Sequence, residues 1–101
     1  MILPVRLWDE AKTEFDDAMD WYEQQRAGLG ARFATAIHDQ LDRIARQPNM
    51  HGKIRNDVRK SVVRGFPYCI FYLAEPSEVV VLSIFHTSRD PAVWQSRADL
   101  I

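Results

Sequence analysis

Val62-Val63-Arg64-Gly65-Phe66-Pro67-Tyr68-Cys69-Ile70-Phe71-Tyr72 is followed closely by Val79-Val80-Val81-Leu82-Ser83-Ile84-Phe85-His86-Thr87-Ser88-Arg89-Asp90-Pro91. Gly65-Phe66-Pro67 and Glu75-Pro76-Ser77 are turn chemistry, so the strands expected at Asp57 to Arg64, Tyr68 to Ala74 and Glu78 to His86 form an antiparallel meander. Proline lacks an N–H, which places Pro67 at a strand start and not in its middle. A sheet covered on one side alternates apolar with polar residues, and these strands do not. Tyr68, Ile70 and Tyr72 oppose Cys69, Phe71 and Leu73, and strict alternation sets Val80, Leu82 and Ile84 opposite Val79, Val81 and Phe85. Both faces of the sheet therefore need cover.

Upstream, Leu3 to Trp8 alternates Leu3, Val5 and Leu7 with Pro4, Arg6 and Trp8, the pattern of a short strand. Asp9 stands where a helix N-cap belongs, and Ala11, Phe15, Ala18 and Tyr22 recur at helical spacing to about Gln25. Gly28 and Gly30 end that helix and turn the chain. A second helix carries Phe33, Ile37, Leu41 and Ile44 on one face and stops before Pro48. From Asn49 to Asn56 the chain reads as polar loop, and Ala92 to Leu100 as one or two helical turns. The expected fold is α+β, in the order β-α-α-β-β-β(-α). It has a mainly antiparallel four-stranded sheet and an N-terminal αα-hairpin on one face, in a single domain over residues 1–101.

The hairpin covers one face of the sheet. For the other there remain the chain's own tail, whose apolar content is Pro91, Ala92, Val93, Trp94 and Leu100, or a second molecule. An exposed large apolar side chain forfeits about 1.5–3 kcal/mol, and the tail is short, so the expectation is that a second chain or self-association covers part of the sheet.

With 13 Lys and Arg against 14 Asp and Glu, the net charge is −1, which excludes the strongly basic footprint that supplies bulk affinity for nucleic acid. The charge is unevenly placed. Asp9, Glu10, Glu14, Asp16, Asp17, Asp20 and Glu23 crowd the first helix, whereas Lys53, Arg55, Arg59, Lys60 and Arg64 crowd the segment after His51. These are two solvated faces or two docking surfaces. Cys69 has no disulfide partner, and no apolar run approaches the ~20 residues of a membrane helix. A cytoplasmic protein is expected. His38, His51 and His86 have no metal-ligand spacing, and no phosphate-binding glycine loop or nucleophile motif is present.

Several pieces, in this order, are similar to one family. They are Trp21-Tyr22-Glu23, Gly28-Leu29-Gly30 with Phe33, Ile44…Pro48, Val58-Arg59…Val63, Phe66 to Tyr72, and His86…Arg89-Asp90-Pro91…Trp94…Arg97. The set resembles the RelE/ParE superfamily of toxins from type II toxin–antitoxin systems. That resemblance implies a cognate ParD-like antitoxin in a hetero-oligomer, with no cofactor and no metal. RelE-like relatives cleave mRNA on the ribosome, for which His86 with Arg59, Arg64 and Arg89 would be the acid–base group and phosphate clamps. ParE-like relatives, which the near-neutral charge and the ending favour, bind DNA gyrase without chemistry of their own. On that branch the family carries over no residue list. The basic strand (Arg59, Arg64) and the C-terminal segment (Arg89, Trp94, Arg97) are the expected target contacts, and Phe15, Trp21, Tyr22, Phe33, Tyr68 and Tyr72 the expected antitoxin contacts, with packing of hairpin on sheet the blander reading of Trp21, Tyr22, Tyr68 and Tyr72. The blander readings are hydrogen bonding for His86, a turn and N-cap for Arg89-Asp90, and core packing for Trp94.

Overall fold

The computed structural model describes residues 2–101. The elements run β1 (Val5–Leu7), α1 (Asp9–Gln25), α2 (Leu29–Arg46), β2 (Lys53–Arg55), β3 (Val58–Val62), β4 (Tyr68–Ala74), β5 (Val79–His86) and α3 (Ala92–Ala98). The sheet has five strands in the order β1-β5-β4-β3-β2, not four. The meander is antiparallel, and β1 joins β5 in parallel, with Val5 opposite Val79 and Leu7 opposite Val81. The additional strand, β2, falls in the stretch read as loop. Its three residues, Lys53-Ile54-Arg55, are all exposed and too few to establish a strand period, and it pairs with β3 as a charged edge. No helix among the described residues is long and apolar enough to cross a membrane.

The helical hairpin packs on one face of the sheet through Phe33, Ile37, Leu41 and Ile44 against Val63, Ile70, Tyr72, Val79, Val81 and Ile84. Its tight turn is built around Glu23. The Glu23 carboxylate accepts the N–H groups of Gly28 (2.9 Å) and Gly30 (3.0 Å), satisfying donors that the start of α2 leaves open. Gly28, at φ 88°, adopts the left-handed conformation that side chains disfavour. Gly30 has a different role: a Cβ there would stand 2.7 Å from the Met19 carbonyl oxygen, so its lack of a side chain lets the helices close. At the other end, Asp9 is not the N-cap of α1. Trp8 holds that position without a side-chain bond, and Asp9 and Glu10 lie in the first turn, where their charge suits the helix end.

The second face of the sheet corrects the expectation that a second molecule must cover it. Cys69, Phe71, Val80, Leu82 and Phe85 are each no more than 3 % exposed, packed by the chain's own Trp8, Val93, Trp94 and Ala98. Trp94 lies flat on Phe71, with ring centroids 4.3 Å apart and planes 11° from parallel. Arg55 clamps the end of α3 through a two-pronged pair with Asp99 (2.8 and 2.9 Å). The tail suffices because one indole covers much more sheet than its single letter suggests. What α3 leaves open is the outer edge, where Val62 is 66 % and Ile54 44 % exposed.

Strict alternation also fails once. A β-bulge shifts the β4–β5 register between Phe71 and Tyr72, so that Phe71 faces Ser83 but Tyr72 faces Val81. Beyond it the faces exchange: Ile84 joins the hairpin side and Phe85 the α3 side, the reverse of the expected assignment.

Gly30→Ala gains about 1 kcal/mol of helix propensity but drives its methyl into a backbone oxygen that is fixed within α1. The expected net result is a loss of about 1 kcal/mol or more in urea denaturation, with Gly52→Ala, where nothing lies within 4 Å, within about 0.5 kcal/mol of wild type. An unchanged midpoint for Gly30→Ala would mean that the hairpin opens there freely.

Tyr72 gives the fold an alkaline limit. Its hydroxyl donates to the Pro48 carbonyl (2.9 Å), and burial pushes the phenol from about 10 up to about 12. Burial raises Tyr22 and Tyr68 as well. The folded state thus prefers neutral phenols, and this contribution is whole below pH 10 and is lost as the pH rises from 10 to 12. Tyr72→Phe is expected to flatten the alkaline fall of the unfolding midpoint, and an equally steep fall in the variant would refute the assignment.

Candidate functional site

Past Val81, where β1 ends, the Leu82 carbonyl and the Ile84 N–H face α1 and α3 rather than a paired strand. Glu14, on the buried side of α1, meets them: its Oε1 accepts the Ile84 N–H (3.2 Å) and the Ser83 hydroxyl (2.9 Å). Arg97 of α3 donates from one nitrogen both to Glu14 Oε1 (2.8 Å) and to the Leu82 carbonyl (2.9 Å). Arg89 closes the group on Glu14 Oε2. The side chains of Glu14 and Arg97 are only 10 % and 13 % exposed, so the pair is largely removed from water. It is retained because each partner also satisfies backbone at the bulge.

This cluster floors a cleft of about 610 Å³ between α1 and the segment after β5. Trp21, 55 % exposed, and Tyr68 form its apolar wall, and Asp9, Glu10 and Asp17 its acidic rim. His86 stands at its edge, with its ring edge-on to Tyr68 (5.1 Å). Its Nδ1 accepts the Ser88 N–H (3.0 Å), which fixes Nδ1 as the unprotonated nitrogen of the neutral ring. Asp90 Oδ1 accepts the Ala92 N–H (3.0 Å) in the turn before α3, but Asp90 is not the expected N-cap: Pro91 holds that position without a side-chain bond.

The expected site residues thus divide. His86, Arg89 and Arg97 meet in one cleft, although Arg97 is turned inward and has little surface for a target. Arg59 is elsewhere: its guanidinium holds the loop after α2 through the Asn49 and His51 carbonyls, and it cannot serve as a phosphate clamp beside His86. Arg64 is exposed at the β3–β4 turn and lines a different groove. Trp94 is half-buried on Phe71. Phe33 and Tyr72, expected to touch a partner, are fully buried and are corrected to core residues. Phe15, Tyr22 and Tyr68 are half-buried in the same aromatic cluster, and Trp21, edge-on to Tyr22 at 5.1 Å, is its accessible member.

Glu14 is the residue that charge counting missed. Its signal was positional: it lies in the Ala11, Phe15, Ala18 stripe, and a carboxylate within an apolar stripe needs a buried partner.

A model of the ParE toxin of type II toxin–antitoxin systems, parDE, matches residues 5–91. The chain belongs to the ParE toxin family. Among solved structures, a chain described as the chromosomal ParDE TA system from P. aeruginosa has the same fold, with a TM-score of 0.73 at 16 % identity. The match covers 86 % of this chain and 98 % of that one. No curated protein sequence matches this chain.

Glu14→Gln removes the charge that Arg97 and Arg89 share. It is expected to cost about 2–4 kcal/mol in urea denaturation, because it strands a buried guanidinium, and to increase dye binding as α3 loosens from the sheet. A loss below about 0.5 kcal/mol would place the pair in the class of weak surface bridges.

Proposed function

We propose that this chain is the toxin of a toxin–antitoxin pair that arrests growth by binding DNA gyrase and holding it on cleaved DNA. A cognate ParD-like antitoxin neutralises it in the cytoplasm. The supporting observation is the disposition of the cations. A chain of the ParE toxin family that cut RNA itself would need a proton-transfer group and free positive charge converging on one phosphate. Here Arg89 and Arg97 are matched to Glu14, and Arg59 is bound to loop carbonyls on another part of the sheet. The cleft sets His86 within an acidic rim of Asp9, Glu10 and Asp17, which disfavours a phosphodiester. Binding to a protein target asks for none of this chemistry.

On this reading the accessible residues Arg64, Arg89 and Trp94 contact the target. The antitoxin covers Trp21 and Tyr68, with Phe15 and Tyr22 packed behind them. The runner-up, a ribosome-dependent endoribonuclease, is favoured by one feature: His86 Nε2 has no partner among the described residues and lies at the cleft edge. A member that only binds antitoxin is the third reading.

Induction without antitoxin separates the three. Gyrase-linked DNA breaks with intact mRNA are expected, and His86→Ala should leave toxicity within a few-fold of wild type. Codon-phased mRNA cleavage abolished by His86→Ala would replace the gyrase reading with the nuclease. Growth unaffected by either protein would leave only antitoxin binding.

A further inference from the structure

On the side of the hairpin away from the Glu14 cleft, a second groove of about 580 Å³ runs between α2 and the β3–β4 turn. Arg26, Arg32, Arg43 and Arg64 line it. All four are exposed, and among the described residues none makes a side-chain ion pair. The single acid there, Asp39, is also unpaired, although Asp42 one turn away does hold Arg46. Arg32 lies in the first turn of α2, the end of a helix where a cation is the unfavourable sign. Local rules broken without internal compensation tend to mark surfaces that act on something else.

The groove floor is apolar: Leu29, Ala36 and Phe66 are half-buried there. Leu29, Arg32, Ala36 and Arg43 follow one another along a single stripe of α2, beside the buried stripe of Phe33, Ile37 and Ile44. From Arg32 to Arg43 that stripe is about 16 Å long at 1.5 Å per residue. A small residue flanked by apolar and charged neighbours at helical spacing is the layout by which one helix receives another, with flanking charges choosing the partner.

We infer that this groove receives an acidic amphipathic helix of a partner protein. Its apolar stripe lies on Leu29, Ala36 and Phe66, and its carboxylates are forked by Arg26, Arg32, Arg43 and Arg64. Arginine suits this role because its planar donors pair with a carboxylate in a two-pronged fashion. A nucleic-acid backbone would match the guanidinium groups but would leave the apolar floor idle. A second copy of this chain would have to present the acidic α1 in a head-to-tail contact, which builds rings or filaments rather than a simple two-fold pair. The inference goes beyond the gyrase reading and shares only Arg64 with it; Arg26, Arg32, Arg43 and the apolar floor carry no part of that reading, so the groove can fail or hold without it.

The probe is a labelled synthetic helix of about 15 residues with a leucine stripe flanked by glutamates, long enough to be partly helical in water. It is titrated into the ¹⁵N-labelled full chain and followed by anisotropy and amide shifts. The expected result is saturable binding with shifts confined to α2 and residues 64–66. The double variant Arg32→Glu/Arg64→Glu is expected to weaken it about tenfold or more, and Lys60→Glu on the opposite face to leave it unchanged. Glu at position 32 suits the helix start, so the variant is expected to fold. No binding, binding equally strong in the double variant, a lysine-substituted helix binding as well, tighter groove-dependent binding of a DNA duplex, or concentration-dependent self-association through these residues would each overturn the inference.

Discussion

One carboxylate joins the parts of this molecule. Glu14 reaches from the first helix to the bulged strand β5 and to the last helix, and each contact answers a need created by another. The end of β1 opposite Val81 leaves a carbonyl and an N–H of β5 open, a buried N–H needs an acceptor, and a carboxylate taken from water needs a cation. Arg97 supplies that cation and covers the carbonyl as well. Because every group in the cluster is satisfied by its neighbours, the site is rigid and specific where an incomplete network would be a weakness.

The same cluster determines what the conspicuous C-terminal residues have left to offer. Arg89 and Arg97 look in one dimension like free cations beside a histidine. In three dimensions they neutralise an internal charge. The chain's strong asymmetry, acidic first helix against basic middle, does not resolve into two uniform faces. The bases divide among a loop clamp (Arg59), a tail clamp (Arg55) and an unmatched groove that includes Arg64. The acids line a cleft whose wall carries the exposed Trp21.

The sheet carries a lesson about hydrophobic accounting. Both faces of β4 and β5 are apolar, and that much is correct. The inference that a second molecule must shelter one of them fails, because residue counts underrate large rings: Trp8 and Trp94 cover what a tail of seven helical residues otherwise would not. The case for a partner therefore rests on family membership and on accessible features such as Trp21, and not on the sheet being bare.

Periodicity was enough to determine the two long helices, their tight junction and the antiparallel meander, because an amphipathic stripe and a turn residue are local properties of the chain. The motifs from Trp21 to Arg97 likewise carried the family. Tertiary structure alone decided the rest: the β2 edge, which has no apolar pattern to betray it, and the parallel docking of β1. It also decided the bulge at Leu82 and the assignment of Phe33, Tyr72, Arg59 and Arg97 to internal roles. A bulge, and the choice between a core ring and a contact ring, depend on which backbone groups find partners across the fold. That is a matter of distance in space, which spacing along the sequence does not encode.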